Sequence, residues 1–145
     1  MLTSALLFTF TSTIVVDLRN YKFVAFANSK PIYQGLATGG RRYCPDIRRG
    51  CKTPSGTFHM ISKRSANYRS PLYPLGCGRL PGQKRCAPMP HYVKFNHQGP
   101  GFHASSDDWK NLKHQSHGCV HLQPQDAIWI HKNFNKNTAV IVLPY

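Results

Sequence analysis

The sequence predicts a mainly β domain with one short helix, and three observations predict it. β-Branched and aromatic residues dominate residues 14–37 and recur in short runs near 57–62, 91–96 and 138–143. Only one stretch, residues 124–134, spaces its apolar side chains to cover one side of a helix. Between these runs lie segments dense in Gly, Pro and Cys, which break regular structure.

Taken in order, residues 14–18 read as a first strand, with a turn at Arg19-Asn20, a second strand over 21–27, a turn at Asn28-Ser29-Lys30 and a third strand over 32–37. Thr38-Gly39-Gly40 opens a long loop that runs through Cys51. Thr53-Pro54-Ser55-Gly56 suits a type I turn, with Pro second and Gly fourth, and residues 57–62 resume as a strand. A loop-rich insert follows at about 62–90, where Pro71, Pro74, Pro81, Pro88 and Pro90 stand among Gly76, Gly78 and Gly82. Its length and its cysteines fit either a stapled lid over a site or a passive insertion. Residues 91–96 read as a strand leading toward His103. Pro124 stands where helices tolerate proline, at the start of the helix over 124–134, and Asn135-Lys136-Asn137 turns into a closing, buried strand over 138–143.

A chain of 145 residues with 41% hydrophobic content makes one domain with a packed core, and nothing in it repeats. That domain is expected over residues 13–145, with residues 1–12 either an export-signal remnant or the start of the first strand. The apolar N-terminus is interrupted by Ser and Thr and is shorter than the roughly 20 residues that span a bilayer. A net charge of +14, from 19 Lys and Arg against 5 acidic residues, marks a surface that attracts polyanions. The pairs Arg41-Arg42, Arg48-Arg49 and Lys63-Arg64 would suit phosphate contacts, yet no helix-turn-helix, zinc finger or RNA-binding motif accompanies them, so nucleic acid is not the expected partner.

Four of the five cysteines form two close couples, Cys44 with Cys51 and Cys77 with Cys86. Three connectivities are open to four cysteines; the local one would staple each loop at about 2–3 kcal/mol and would place the protein in an oxidising compartment. Cys119 is left over, within Ser116-His117-Gly118-Cys119-Val120-His121. A lone cysteine is most often a small buried hydrophobe. Here its neighbours suggest chemistry. Gly118 lets the chain turn sharply before the thiol and present adjacent N–H groups to one spot, and His103, His114, His117 and His121 supply imidazoles to lower the thiol's pKa. The same Cys and His residues could instead ligate zinc, but no CxxC pair or HExxH helix is present.

His103, sixteen residues before Cys119 in Ser-His-Gly-Cys-Val, resembles the active-site signature of the L,D-transpeptidases, the YkuD family. The strand at Ile14-Val15-Val16-Asp17-Leu18 and the stretch Thr53-Pro54-Ser55-Gly56-Thr57-Phe58 are similar to the same family, so the likeness covers most of the chain. It implies a β-sandwich with one short helix after the catalytic loop, no cofactor and no metal. By the resemblance Cys119 is the nucleophile, His103 the base, and the backbone at Ala104 orients His103. The amides of Gly118 and Cys119 hold the oxyanion, while Ser116, His117 and His121 line the pocket. His121 stands where many members carry Arg or Asn, which touches donor specificity rather than the reaction class.

The substrates implied are stem peptides of peptidoglycan. Cys119 attacks the carbonyl of the third stem residue, D-Ala leaves, and an amine resolves the thioester, with His103 as acid in the first half and base in the second. Water as acceptor makes the enzyme a carboxypeptidase. A monomer at the periplasm or cell-wall exterior, drawn to anionic wall polymers by its charge, completes the expectation. The alternative is a basic, disulfide-stapled module that binds wall or polyanion without turnover.

Overall fold

The structure is a computed structural model that describes residues 11–145. It begins with a meander: β1 (Ser12–Asp17), a single 3-10 turn (Leu18–Asn20), β2 (Lys22–Ala27) and β3 (Lys30–Thr38), each antiparallel to the one before. In β1 the burial alternates residue by residue, with Ile14 and Val16 fully buried and Val15 and Asp17 on the other face. That is the period-two signature of a strand with one face on the core. The 3-10 turn closes because the Asp17 side chain accepts from the Asn20 amide, while Tyr21 takes the left-handed conformation that ends it.

The remaining elements are β4 (Gly56–His59), β5 (Ser62–Lys63), β6 (Val93–Lys94), β7 (Gly101–Ala104), β8 (Val120–Leu122), α1 (Pro124–Asn133) and β9 (Ala139–Val142). They form one nine-stranded sheet in the order β4-β9-β1-β2-β3-β8-β7-β6-β5. The sheet curls around a core of Ile14, Val16, Phe23, Val93, Phe95, Phe102, Val120, Leu122, Ile130, Val140 and Val142, drawn from both halves. Helix α1 closes this core with Ala127 and Ile130, and its Trp129 stacks on Tyr33 of β3 with ring centroids 4.0 Å apart. The Tyr33 hydroxyl donates to the buried Asp126 carboxylate at 2.6 Å.

Two sequence expectations change. The strand over 57–62 is two strands at opposite ends of the sheet, because Met60 donates to Thr138 O beside β9 while Ile61 donates to Lys94 O beside β6. Buried Met60 marks the crossing. The strand over 91–96 shrinks to Val93–Lys94, since Phe95 and Asn96 both turn back to Pro100 O. β1 starts at Ser12, paired with Ala27, and the suggested signal remnant lies, but for Thr11 and Ser12, outside the described residues. Among the described residues no helix is long and apolar enough to cross a membrane.

Candidate active site

Pairing between β7 and β8 builds the site. These strands run parallel, with Phe102 opposite Val120, His103 opposite His121 and Ala104 opposite Leu122. Phe102, Val120 and Leu122 are fully buried in the core. By the alternation of a strand, His103 and His121 then share the other face, and Cys119, two residues before His121, shares it too. All three line one groove of about 930 Å³.

His103 is only 6% exposed, and its Nδ1 lies 2.8 Å from the Ala104 carbonyl. A carbonyl accepts only, so Nδ1 carries the hydrogen and Nε2 is left as the basic nitrogen. Burial, and then the charge of His121, push the His103 pKa down to about 4. Burial pushes the half-buried Cys119 thiol up to about 11, against a smaller pull from the backbone of Gly101. Burial thus favours the neutral form of each group, thiol and imidazole, over the charged one.

The loop before Cys119 is fixed by its own hydrogen bonds. Gly118 has φ +131°, a conformation that side-chain-bearing residues rarely adopt. The buried Ser116 hydroxyl donates to Cys119 O at 2.6 Å and accepts from the Gly118 amide at 3.1 Å. That amide, expected at the oxyanion, is thus engaged within the loop in this arrangement. Beneath the loop, the Thr53 hydroxyl accepts from Gly40 N at 3.0 Å and donates to Gly118 O at 2.8 Å. Tyr145 accepts from Thr53 N and donates to Gly40 O, each at 2.8 Å. Gly40 has to be glycine, since a Cβ there would sit 1.7 Å from Cys51 O.

His121 brings in a residue the sequence did not single out. Its Nδ1 is 2.8 Å from Asp107 Oδ2, and its ring meets the His103 ring edge-on at 4.6 Å. Asp107 also accepts from Thr38 at 3.1 Å and from Ser105. Burial opposes its charge, but these donors, His121 foremost, hold its carboxyl well below the usual range. Asp107 lies in the polar stretch Ser105-Ser106-Asp107-Asp108, which reads as an ordinary solvated loop.

His117 also lines the groove, yet it serves mainly as a junction: Nε2 pairs with Asp46 Oδ2 at 2.7 Å, and its ring stacks on Tyr73 at 3.9 Å. Tyr73 belongs to the insert, which lines the groove with residues 70–74 and 87–90. Ser70 donates to Ala87 O and Met89 to Tyr68 O, both at 2.8 Å, and the Cys77–Cys86 disulfide ties the far end. The other disulfide joins Cys44 and Cys51. In the same insert Tyr68 stacks on Tyr92, and Arg64 sits over the Tyr68 ring at 5.5 Å.

His114 does not reach the groove. It packs between Tyr21 and Tyr145 and accepts from Gly39 N at 3.0 Å. The zinc alternative therefore loses one of its ligands. Among the described residues the one group that converges as metal ligands do is Cys44, Asp46 and His117, and the Cys44 sulfur is already bonded to Cys51.

A groove, a free cysteine and a backbone-anchored histidine are the parts that cysteine acyl-transfer chemistry uses. The family model described as L,D-transpeptidase catalytic domain, YkuD, matches residues 11–142, and the chain belongs to that family. No curated protein matches the sequence. Among solved structures, an L,D-transpeptidase from Mycobacterium smegmatis superposes with TM-score 0.74 at 20% identity, covering 93% of this chain and 59% of its own. One from Stackebrandtia nassauensis gives 0.72 at 21% identity, with 92% and 56% covered. L,D-transpeptidase 3 from Mycobacterium tuberculosis, solved with a faropenem-derived adduct, gives 0.72 at 19% identity, with 93% and 61% covered. This chain thus spans about three fifths of the length of those relatives or less.

Proposed function

We propose that this protein is an exported L,D-transpeptidase that acts on peptidoglycan stem peptides through a thioester on Cys119. The observation that carries the reading is the parallel register of β7 and β8, which sets His103 and Cys119 on one face of a groove of about 930 Å³. The groove's chemistry agrees. Among the described residues Arg49, Arg64 and Lys94 line it and no carboxylate does, as suits a peptide rich in acidic groups.

In the first half of the reaction the Cys119 sulfur bonds to the carbonyl carbon of the third stem residue while its proton passes to His103 Nε2. Burial favours the neutral form of each group, which suits a proton transfer that accompanies attack. The oxygen gains charge beside the Cys119 amide, and such a donor is worth about 2.7–4 kcal/mol to a tetrahedral intermediate. His103 then protonates the departing D-Ala nitrogen as the C–N bond breaks, leaving the thioester. An amine from a second stem or a lipoprotein resolves it to a cross-link; water gives the carboxypeptidase product. The basic surface would hold the monomer near anionic wall polymers.

The test is product analysis with a disaccharide-tetrapeptide. Joined stems and released D-Ala from the wild type, and neither from Cys119→Ala, support the reading. Wall binding that survives in Cys119→Ala with no product from either protein supports the non-catalytic binding module instead.

A further inference from the structure

We propose that His121, held by Asp107, is a second acid–base residue of this site and takes the proton from the acceptor amine in the transfer half of the reaction. The inference rests on the transpeptidase reading above and divides between two histidines the work first given to His103 alone.

Each ring has one nitrogen committed. In His121 it is Nδ1, directed at the Asp107 carboxylate at 2.8 Å, so Nε2 keeps the free lone pair in a residue that lines the groove. The carboxylate is itself fixed by Thr38 of β3 and by Ser105, which leaves the dyad little freedom to swing. His103 commits Nδ1 to a neutral carbonyl at the same separation, 2.8 Å. The two rings thus differ in partner, a carboxylate for His121 and a neutral carbonyl for His103. The groups facing His121 are His103 from β7, Asp107 from the loop after it, and Cys119 from its own segment. The His121 and His103 rings meet edge-on with centroids 4.6 Å apart. Two imidazoles with different partners and different burial suit different steps. His103, deeply buried, takes the thiol proton during attack and gives it up as D-Ala leaves. His121, with a side chain 15% exposed, meets the incoming amine.

The step balances without an added reagent. The amine nitrogen bonds to the thioester carbonyl carbon and gives one proton to His121 Nε2. The C–S bond then breaks with its electron pair on sulfur, and the thiolate takes that proton back, restoring both residues.

The experiment separates the two halves. Acylation is followed by quenched intact-protein mass with a disaccharide-tetrapeptide donor, and transfer by decay of the isolated acyl-enzyme with a stem tripeptide bearing a free side-chain amine. General acid–base catalysis is worth about 10²–10⁴-fold, so in His121→Gln the transfer step falls about 100-fold more than acylation does. Asp107→Asn slows the same step by a smaller factor and flattens its pH dependence, a change that a merely structural role would not produce. If His121→Gln does not fold, Asp107→Asn carries the test. Equal losses in both steps, or transfer unaffected, overturn the inference and leave the proposed function standing. No acyl-enzyme in the wild type overturns both.

Discussion

Thr53→Val replaces a hydroxyl with a methyl of nearly the same size, and its consequences follow from two bonds. The hydroxyl accepts from Gly40 N and donates to Gly118 O, and Thr53 is 3% exposed. Valine fills the space but leaves a buried N–H and a buried C=O without partners, at about 1–3 kcal/mol for each unsatisfied group. Neither group has an easy substitute, because Gly40 is pressed against Cys51 O and Gly118 is held at a positive φ. A total near 3 kcal/mol lowers Tm by roughly 10 °C in a domain of this length. Since the Gly118 carbonyl is one of the ties that hold the loop under Cys119, acylation slows as well. Thermal unfolding followed by circular dichroism, with carbapenem acylation read by mass, checks both; Thr53→Ser, which keeps the hydroxyl, should stay within about 1–2 kcal/mol of wild type. A Tm loss under about 3 °C for Thr53→Val, with acylation unchanged, would refute the idea that this hydroxyl clamps the loop.

Three further outcomes are expected. Alkylation of Cys119 by iodoacetamide should be slow at pH 7 and still rising at pH 10, because burial holds the thiol near 11; a plateau below pH 8 would show a resting thiolate–imidazolium pair instead. Burial holds His91, His103 and His114 below the ordinary imidazole value. The unfolded chain therefore binds protons first, and stability should drop as pH falls from about 6.5 toward 4, His103 alone contributing on the order of 3 kcal/mol; urea midpoints that stay flat across this window would contradict it. Arg64→Gln removes the cation over Tyr68 and should raise KM for an acidic stem peptide by about ten-fold, with kcat little changed, a loss typical of one charge-assisted hydrogen bond; an unchanged KM would place the peptide elsewhere.

Much of this architecture was readable from residue order. The meander over β1 to β3 and the helix from Pro124 announce themselves through local period and the proline at the helix start, and the Ser-His-Gly-Cys segment marks the loop. What stayed hidden depends on register between distant, very short strands. β8 has three residues and β7 four, so no local pattern says that they run parallel with His103 opposite His121. Asp107 was invisible for the same reason: in sequence it is one more acid in a polar loop, and only the fold sets it against His121 and Thr38. His117 reads as pocket lining, and it does face the groove, but its pairing with Asp46 and stacking on Tyr73 come from two loops that the sequence leaves unplaced. Thr53 sits in a stretch whose turn chemistry explains Pro54 and Gly56, which hides the separate task of its hydroxyl.

The central claim, that Cys119 carries the acyl group, is tested most directly by trapping it. The protein is mixed with a disaccharide-tetrapeptide, quenched in acid within seconds, and its intact mass and proteolytic fragments are measured. The expected result is a gain equal to the donor without its terminal D-Ala, located on the fragment that contains Cys119 and absent from Cys119→Ala. Released D-Ala with no adduct on that fragment, or an adduct that persists in Cys119→Ala, would contradict it.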